Sequence, residues 1–220
     1  MPFCPESLLT GVMVAPAPGK EMIYEREFHL PESWRNSRLL LHFGAVSREC
    51  KVSVNGREVC RHDNAYLPFS ADITDYLEDG SNILRVTVVN DLKAQYPCGK
   101  QTKKRGGMWN TPVSGIWQTV WLEPVPEKHI QRISISAGRD YAEIEISGVI
   151  EGDILFEGNR IPLKEGRARI EVPDPKMWCP ETPYLYYFVV CCGKDHVRSY
   201  FALRTLSVQP VNGEYGTAAF

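Results

Sequence analysis

Residues 50–61 read CKVSVNGREVCR and carry the clearest secondary-structure signal in the chain. The apolar residues at positions 50, 52 and 54 alternate with polar ones, which is the period-two pattern of a strand with one buried face. Asn55-Gly56 follows directly. Both central residues of a two-residue hairpin turn must take positive φ, and Asn-Gly favours such a turn for that reason. The stretch therefore predicts a β-hairpin.

Short alternating segments recur on both sides of this hairpin, and long helical periodicity does not. One helical turn is expected near Asp72–Leu77. Trp117 and Trp121 fall on one face of a single predicted strand and are expected in the core. Strands are predicted at Tyr24–Leu30, Ile83–Asn90, Ile116–Leu122, Ile130–Ser136, Tyr141–Ser147, Asp153–Phe156, Arg167–Val172, Tyr184–Cys192 and His196–Arg204.

The alternating pattern is interrupted at residues 123–128 (EPVPEK). Two prolines remove two backbone donors and stiffen the segment, which predicts an interdomain linker. The part before the linker has long connections, as in a large sandwich or a jelly roll. The part after it has six or seven short strands at regular spacing, which suits an immunoglobulin-like β-sandwich. The predicted fold class is all-β.

Composition and charge exclude several classes of protein. The 25 basic and 27 acidic residues leave a net charge of −2, which gives no electrostatic reason to bind nucleic acid or an anionic membrane. The longest apolar run, Tyr184–Cys192, is shorter than the roughly 20 residues of a membrane-spanning helix. Pro2, Pro5 and Glu6 do not form a secretory signal. The seven cysteines lack zinc-type pairs and are expected as reduced thiols. A cytoplasmic location is therefore expected.

Searches for catalytic and cofactor motifs return little. No phosphate-binding loop or Gly-x-Ser-x-Gly elbow is complete, and the five histidines are scattered, so no cofactor and no metal are expected. Glu143 and Glu145 would lie about 7 Å apart on one strand face. Paired carboxylates can hydrolyse glycosides. Their alternation with Ile144 and Ile146 instead favours a solvated strand face.

The most informative polar segment is Tyr96–Trp121. It holds four basic residues, a Gly-Gly pair, Trp109 and Asn110. Basic and amide side chains donate hydrogen bonds to hydroxyls, and an aromatic face can pack on the apolar side of a sugar ring. The pattern alone leaves open a plain mobile surface loop, a sugar or polyol contact, and a nucleic-acid contact, which the net charge disfavours. The glycines predict an exposed, irregular loop at Tyr96–Pro112 that is less ordered than the strands around it.

Residues 114–125 (SGIWQTVWLEPV) strongly resemble the end of the N-terminal domain in glycoside hydrolase family 2, which includes β-galactosidases, β-glucuronidases and β-mannosidases. Other stretches agree in order, so the resemblance covers nearly the whole chain. They are residues 2–7 (PFCPES), 40–46 (LLHFGAV), 52–59 (VSVNGREV), 66–69 (YLPF), 72–74 (DIT), 178–186 (WCPETPYLY) and 201–204 (FALR).

The resemblance implies a galactose-binding-like jelly roll over residues 1–124 with its first strand missing, an immunoglobulin-like β-sandwich over 125–208, and a linker over 209–220. In this family a (β/α)₈ barrel of about 250 residues follows and carries both catalytic glutamates. The family's Asn-Glu acid/base dipeptide does not occur here. The chain is therefore expected to be a non-catalytic N-terminal fragment of an enzyme that hydrolyses β-linked sugars.

The resemblance also implies a role for the loop at Tyr96–Pro112, which would lie near the mouth of the active site. Its candidates for substrate contact are Lys100, Gln101, Trp109 and Asn110. The expected partners are carbohydrate and the catalytic barrel of the parent enzyme, which the chain would support. Nucleic acid and membrane are not expected, and a homo-oligomer of the parent is left open.

Two other functions stay open at this point. One is a free-standing carbohydrate-binding module, which needs aromatic residues exposed on a sheet face or a loop. The other is a structural or adhesion protein built from two sandwiches, which would use no sugar. The exposure of Trp34, Tyr66 and Trp109 distinguishes the two.

Overall fold

The computed structural model describes residues 3–17, 19–93, 95–102 and 106–205. It forms two units, Met1–Val125 and Pro126–Phe220. Within the described residues both units are built from β-strands, and the helical parts are short 3₁₀ turns at Leu8–Thr10, Glu32–Trp34 and Thr74–Tyr76. No helix in these ranges is long and apolar enough to cross a membrane. The expected linker at 209–220 lies outside the described residues.

The first unit is a jelly-roll sandwich of antiparallel strands. A four-stranded sheet in the order β1-β7-β4-β5 and a three-stranded sheet in the order β6-β2-β9 enclose the core, and β3 pairs with β8. The strands are β1 Glu21–His29, β2 Arg38–Phe43, β3 Val46–Ser47, β4 Glu49–Val54, β5 Arg57–His62, β6 Phe69–Asp72, β7 Ser81–Val89, β8 Gly115–Ile116 and β9 Val120–Val125.

The core of the first unit follows the alternation of the sequence. Every second residue of β2 and β4 is buried, as are Asn82, Val86 and Val88 of β7, because successive side chains of a strand point to opposite faces of the sheet. Fully burying one such side chain contributes about 1.5–3 kcal/mol. The fully buried members of this core include Leu39, Leu41, Phe43, Val46, Val52, Val54, Ile73, Val86 and Val88.

The hairpin predicted from residues 50–61 is present as β4 and β5. Asn55 and Gly56 form its turn with φ of 51° and 76°, and the pairing register shifts between Val52 and Ser53. The side-chain amide of Asn55 also forms a hydrogen bond outside the hairpin. Its Nδ2 donates to Oδ1 of the fully buried Asn82 at 2.8 Å. The turn residue therefore connects the hairpin to the start of β7.

The single strand predicted at Ile116–Leu122 is wrong. The chain forms β8, leaves the sheet at residues 117–119, and re-enters as β9. Beside the break the N–H of Gly44 donates to the carbonyl of Thr119 at 2.9 Å. A Cβ on Gly44 would lie 2.8 Å from Gln118 Cβ, so this approach requires glycine. β9 then runs through Pro124, and the interdomain segment is shorter than predicted.

Because the strand is interrupted, its two tryptophans do not share one face. Trp121 is 45% exposed and stacks on His42 with ring centroids 4.9 Å apart, so its expected core position is wrong. Trp117 is half-buried, and its Nε1 donates to the carbonyl of Ala65 at 2.9 Å. Its ring meets the ring of Tyr66 edge-on.

The second unit is an immunoglobulin-like sandwich of three and four antiparallel strands, in the orders β10-β11-β14 and β13-β12-β15-β16. Its buried core includes Ile144, Ile154, Ile170 and Phe188. β13 was not predicted, because its four residues NRIP show no alternation in the sequence. The strands are β10 Arg132–Ala137, β11 Tyr141–Ser147, β12 Asp153–Phe156, β13 Asn159–Pro162, β14 Arg167–Glu171, β15 Tyr186–Cys192 and β16 Asp195–Phe201.

Candidate functional site

The candidate loop lies between β7 and β8 of the first unit. Buried polar groups join the segment that leads into the loop to the segment that follows it. Asn90 is 7% exposed, and its Nδ2 donates to the carbonyl of Val113 at 3.1 Å and to Oγ of Ser114 at 3.2 Å. Buried amides require such partners, because an unpaired polar group loses its hydration without compensation. The start and the end of the loop are therefore fixed to one another.

The N-terminal segment reaches the same place through Glu6, which is 5% exposed. Its Oε2 accepts a hydrogen bond from the backbone N–H of Ser114 at 3.2 Å. The next residue, Gly115, has φ of 76°, and a Cβ there would lie 1.9 Å from Oη of Tyr24. Burial raises the pKa of Tyr24. The chain therefore turns into β8 between a buried carboxylate and a tyrosine hydroxyl, where only glycine fits.

A cation lies beside the first residue of the loop. The side chain of Arg48 is 8% exposed and forms an ion pair with Glu49. Its guanidinium carbon lies 3.5 Å from the ring centroid of Tyr96, which is a close cation–π contact. Hydrogen bonds from Gln95 and Arg48 lower the pKa of Tyr96. Arg48 thus holds the outgoing end of the loop against the sheet.

Two of the four candidate residues use their side chains in hydrogen bonds within the first unit. Gln101 donates from Nε2 to Tyr66 Oη at 3.1 Å and accepts at Oε1 from the N–H of Val113 at 2.7 Å, which joins the loop to neighbouring segments. Asn110 donates from Nδ2 to the carbonyl of Gly99 at 3.2 Å. Residues 101 and 110 also form a parallel β-bridge. The Asn110 bond and this bridge close the loop on itself.

The other two candidate residues face solvent. Trp109 is 54% exposed, and Lys100 is exposed with a positive φ of 65°. Residues 106 and 109 form a second bridge. The predicted exposure is observed for residues 106–111, and the described part of the loop forms no helix or strand, in agreement with the predicted irregular loop, although hydrogen bonds and two isolated bridges link it internally. The basic residues at 103–105 lie outside the described residues.

The exposed side chains of Trp109 and Lys100 carry chemical groups of the kind that contact a polyol. An exposed indole provides a flat apolar surface with one N–H donor, and an ammonium group provides three donors. Tyr66 is 39% exposed and Trp34 packs against the core of the first unit, so Trp109 is the most exposed of the three aromatic residues in question. In the described ranges no group of three or more His, Cys, Asp or Glu residues could hold a metal ion.

The carboxylate pair considered from the sequence does not form a site. Glu143 and Glu145 occupy exposed positions of β11. Glu145 pairs with Arg167 at 2.9 Å, and Glu143 lies 3.6 Å from Arg169. The pair therefore belongs to a solvated, charge-paired strand face, as the alternation indicated.

Sequence reasoning did not identify Glu6 or Arg48 as supports of the loop. For Arg48 a signal was available, because it interrupts a stretch of small and apolar residues and charged side chains are almost never fully buried unless they are paired. The sequence around Glu6 gives no such signal. Their partners lie far away in the sequence, so the pairing itself could not be deduced from spacing.

Comparison with known proteins agrees with the fold. Residues 12–126 match the family described as glycosyl hydrolases family 2, sugar binding domain. The chain is 39% identical over 228 residues to a β-glucuronidase from Paenibacillus borealis, covering 87% of this chain and 38% of that protein. It is 27% identical over 187 residues to a β-galactosidase from Thermoanaerobacter pseudethanolicus, covering 74% of this chain and 25% of that protein.

A solved structure shows the same architecture. The β-glucuronidase of Ruminococcus gnavus matches with a TM-score of 0.69 at 26% sequence identity. The match covers 86% of this chain and 36% of that protein. The chain thus spans between a quarter and two-fifths of the length of these relatives.

Proposed function

Because the chain belongs to glycoside hydrolase family 2, we propose that it is the non-catalytic N-terminal part of an enzyme that hydrolyses β-linked sugars with retention. Its partners are then the carbohydrate substrate and the catalytic barrel that the two sandwiches support. The proposal assigns residues 1–124 to the sugar-binding-like jelly roll. It assigns 125–208 to the immunoglobulin-like sandwich and 209–220 to the linker toward the barrel. A cytoplasmic location is supported by the seven cysteines, which are all free thiols.

The observation that carries the proposal is the exposed indole of Trp109 on a loop whose base is fixed. Asn90 joins the ends of the loop, and Gln101 bonds both to Val113, just before β8, and to Tyr66. A group held in its binding position before the ligand arrives loses less entropy on binding. A bulky aromatic side chain presented to solvent on such a support is suited to stacking on a sugar ring.

The four candidate residues take two roles in this proposal. Lys100 and Trp109 contact the substrate, since both side chains face solvent. Gln101 and Asn110 position them through the bonds that close the loop. The loop contributes to one edge of the substrate site at the mouth of the barrel.

The decisive experiment uses the catalytically active protein that carries this segment. Trp109→Ala is expected to lower kcat/KM at least tenfold, about 1.4 kcal/mol of transition-state stabilisation, with an unchanged Tm. Trp121→Ala is the matched control, because Trp121 is also exposed but lies on a strand of the sheet. Unchanged kinetics in the Trp109 variant would remove the loop from the substrate site.

The exposure of Trp109 also favours a second function, a free-standing carbohydrate-binding module, over a structural or adhesion protein. Such a module binds sugar by itself. Calorimetric titration of the 220-residue chain with galactose, glucuronate and mannose separates the two sugar-related functions. Micromolar affinity supports the free-standing module, whereas affinity in the millimolar range or weaker supports the enzyme segment.

A further inference from the structure

The outer face of the four-stranded sheet in the second unit presents two tyrosines side by side. Tyr187 of β15 and Tyr200 of β16 are direct partners in the strand register. Their ring centroids lie 5.9 Å apart and the rings are inclined by 57°. The two residues are 51% and 56% exposed. Two neighbouring strands therefore offer a continuous aromatic surface to solvent.

The packing of the sandwich does not use these rings. The core on the other face of the same strands is filled by Tyr186, Phe188 and Phe201, which are all buried. Single exposed apolar side chains are ordinary on protein surfaces, but adjoining ones form a patch that marks an interaction site. The tyrosines thus have an exposed position that folding of the second unit alone does not require.

Cationic side chains flank this aromatic surface. The next row across the sheet runs from Arg160 on β13 through Leu155 and Val189 to Arg198 on β16. The guanidinium carbon of Arg198 lies 4.7 Å from the ring centroid of Tyr187. Within the described ranges, no carboxylate pairs with Arg198.

One acidic residue lies among the strand positions of this face, and it is already paired. Asp153 lies 2.7 Å from Nη1 of Arg160. The face therefore has positive charge in excess, with an uncompensated guanidinium next to the aromatic rings. An arginine offers two parallel N–H donors to a carboxylate, which a lysine does not.

We propose that this surface, the tyrosine face formed by Arg160, Tyr187, Arg198 and Tyr200, binds an acidic oligosaccharide. The apolar sides of neighbouring pyranose rings stack on the two tyrosines, and a carboxylate on the sugar chain pairs with Arg198. This site lies on the second unit and does not depend on the loop or on the proposed enzymatic function.

The size of the surface favours a sugar chain over a protein partner. Stable protein interfaces bury roughly 800 Å² on each side. The strongly exposed apolar groups of this face are the two tyrosine rings, and the aliphatic side chains between the arginines are half-buried. A narrow aromatic strip bordered by cations matches a linear chain of carboxylated sugars.

The test is a titration of the 220-residue chain with tetragalacturonate, followed by NMR or calorimetry, with cellotetraose as the neutral counterpart. Tetragalacturonate is expected to bind with a dissociation constant on the order of 1 mM. The double substitution Tyr187→Ala/Tyr200→Ala is expected to weaken it at least tenfold, and Arg198→Gln to reduce its affinity to that of cellotetraose. Tyr200→Phe keeps the ring and is expected to keep binding.

Controls separate this site from other exposed aromatic residues and from self-association. Trp121→Ala alters an exposed tryptophan on a strand of the first unit and is expected to leave tetragalacturonate binding unchanged. The proposal is overturned if no saturable binding occurs, or if the tyrosine substitutions leave it unaltered. It is also overturned if those substitutions change only the oligomeric state measured by analytical ultracentrifugation, because the face is then an interface between copies of the chain.

Discussion

Oε2 of Glu6 accepts a hydrogen bond from the backbone N–H of Ser114, a residue 108 positions further along the chain. Both residues are buried, at 5% and 4% exposure. This bond brings the N-terminal segment to the returning end of the candidate loop. Because Asn90 holds the outgoing end at the same point, the loop base depends on three segments that are distant in sequence.

Removing the carboxylate of Glu6 is expected to loosen the loop base. In Glu6→Ala the N–H of Ser114 loses its acceptor, and a buried group left unpaired costs about 1–3 kcal/mol. Amide hydrogen exchange in residues 90–114 is expected to accelerate, and the urea midpoint to fall. Glu32→Gln, which alters an exposed ion pair with Arg35, is the control and should leave both unchanged. Equal exchange rates in the two variants would show that Glu6 does not anchor the loop.

The buried amide of Asn82 predicts a larger loss of stability. Its Oδ1 accepts from the N–H of Glu78 and from Nδ2 of Asn55, both at 2.8 Å. Asn82→Leu removes these two bonds and the one that Nδ2 of Asn82 donates to the carbonyl of Glu78. At about 0.5–1.5 kcal/mol for each hydrogen bond, we expect the free energy of unfolding to fall by about 2–4 kcal/mol. Urea denaturation measures this free energy of unfolding. Asn159→Ala, at an exposed position of β13, should change the value by less than about 0.5 kcal/mol.

Stability in acid is expected to depend on Asp72. Burial opposes its ionisation, but hydrogen bonds from Thr74 and Arg38 outweigh burial and hold the pKa of Asp72 below its usual value. The charged form is therefore favoured by folding. Its contribution is complete above the unfolded pKa of about 4 and is lost as the pH falls through the lower, folded pKa.

The corresponding measurement compares Tm across pH. Asp72→Asn is expected to lower Tm at neutral pH, and the difference from the unaltered chain should shrink below about pH 4. Asp79→Asn, at an exposed turn, serves as the control. A difference that stays constant down to about pH 2 would mean that ionisation of Asp72 does not contribute.

The cysteines are expected to differ in reactivity. Burial, together with the neighbouring Cys60, raises the pKa of Cys50 to about 12. The thiolate is the reactive form, so Cys50 should resist iodoacetamide at about pH 8 in the folded chain and react after unfolding in urea. Cys179, which is partly exposed next to Thr182, should react first. Mass spectrometry of tryptic peptides gives the order, and early labelling of Cys50 would contradict its burial.

The 220-residue chain is expected to hydrolyse no glycoside by itself. The carboxylates Glu143 and Glu145 are paired with arginines on an exposed strand face, an arrangement that leaves no acid and nucleophile on either side of a substrate. Aryl β-galactoside, β-glucuronide and β-mannoside assays test this. Turnover that survives purification and is abolished by Glu145→Gln would contradict the proposal that this part of the enzyme is non-catalytic.

Local patterns in the sequence predicted the parts of the fold that local physics determines. The Asn55-Gly56 turn was predictable because positive φ at two consecutive positions restricts the residue types. The alternation in β11 likewise indicated which residues are buried. Trp121 was misplaced because its strand is interrupted at residues 117–119, where the chain lies close to the distant Gly44.

For the candidate site, too, the sequence predicted only what local residue types determine. Its location on the loop at Tyr96–Pro112 came from residue types and from a resemblance, and the exposure of Trp109 agrees with the expectation. The separate roles of Gln101 and Asn110 could not be predicted, because their hydrogen-bond partners are determined by how the loop closes. An amide offers the same donors to a ligand and to the backbone.

Each sandwich has a proline in a strand at the edge of one of its sheets, Pro124 in β9 and Pro162 in β13. A proline has no N–H to offer a foreign strand. Such edges resist the strand addition that leads to amyloid-like growth. At these two sheet edges a backbone donor is missing, which disfavours the addition of another strand. This protection against aggregation comes from two proline residues and requires no covering helix.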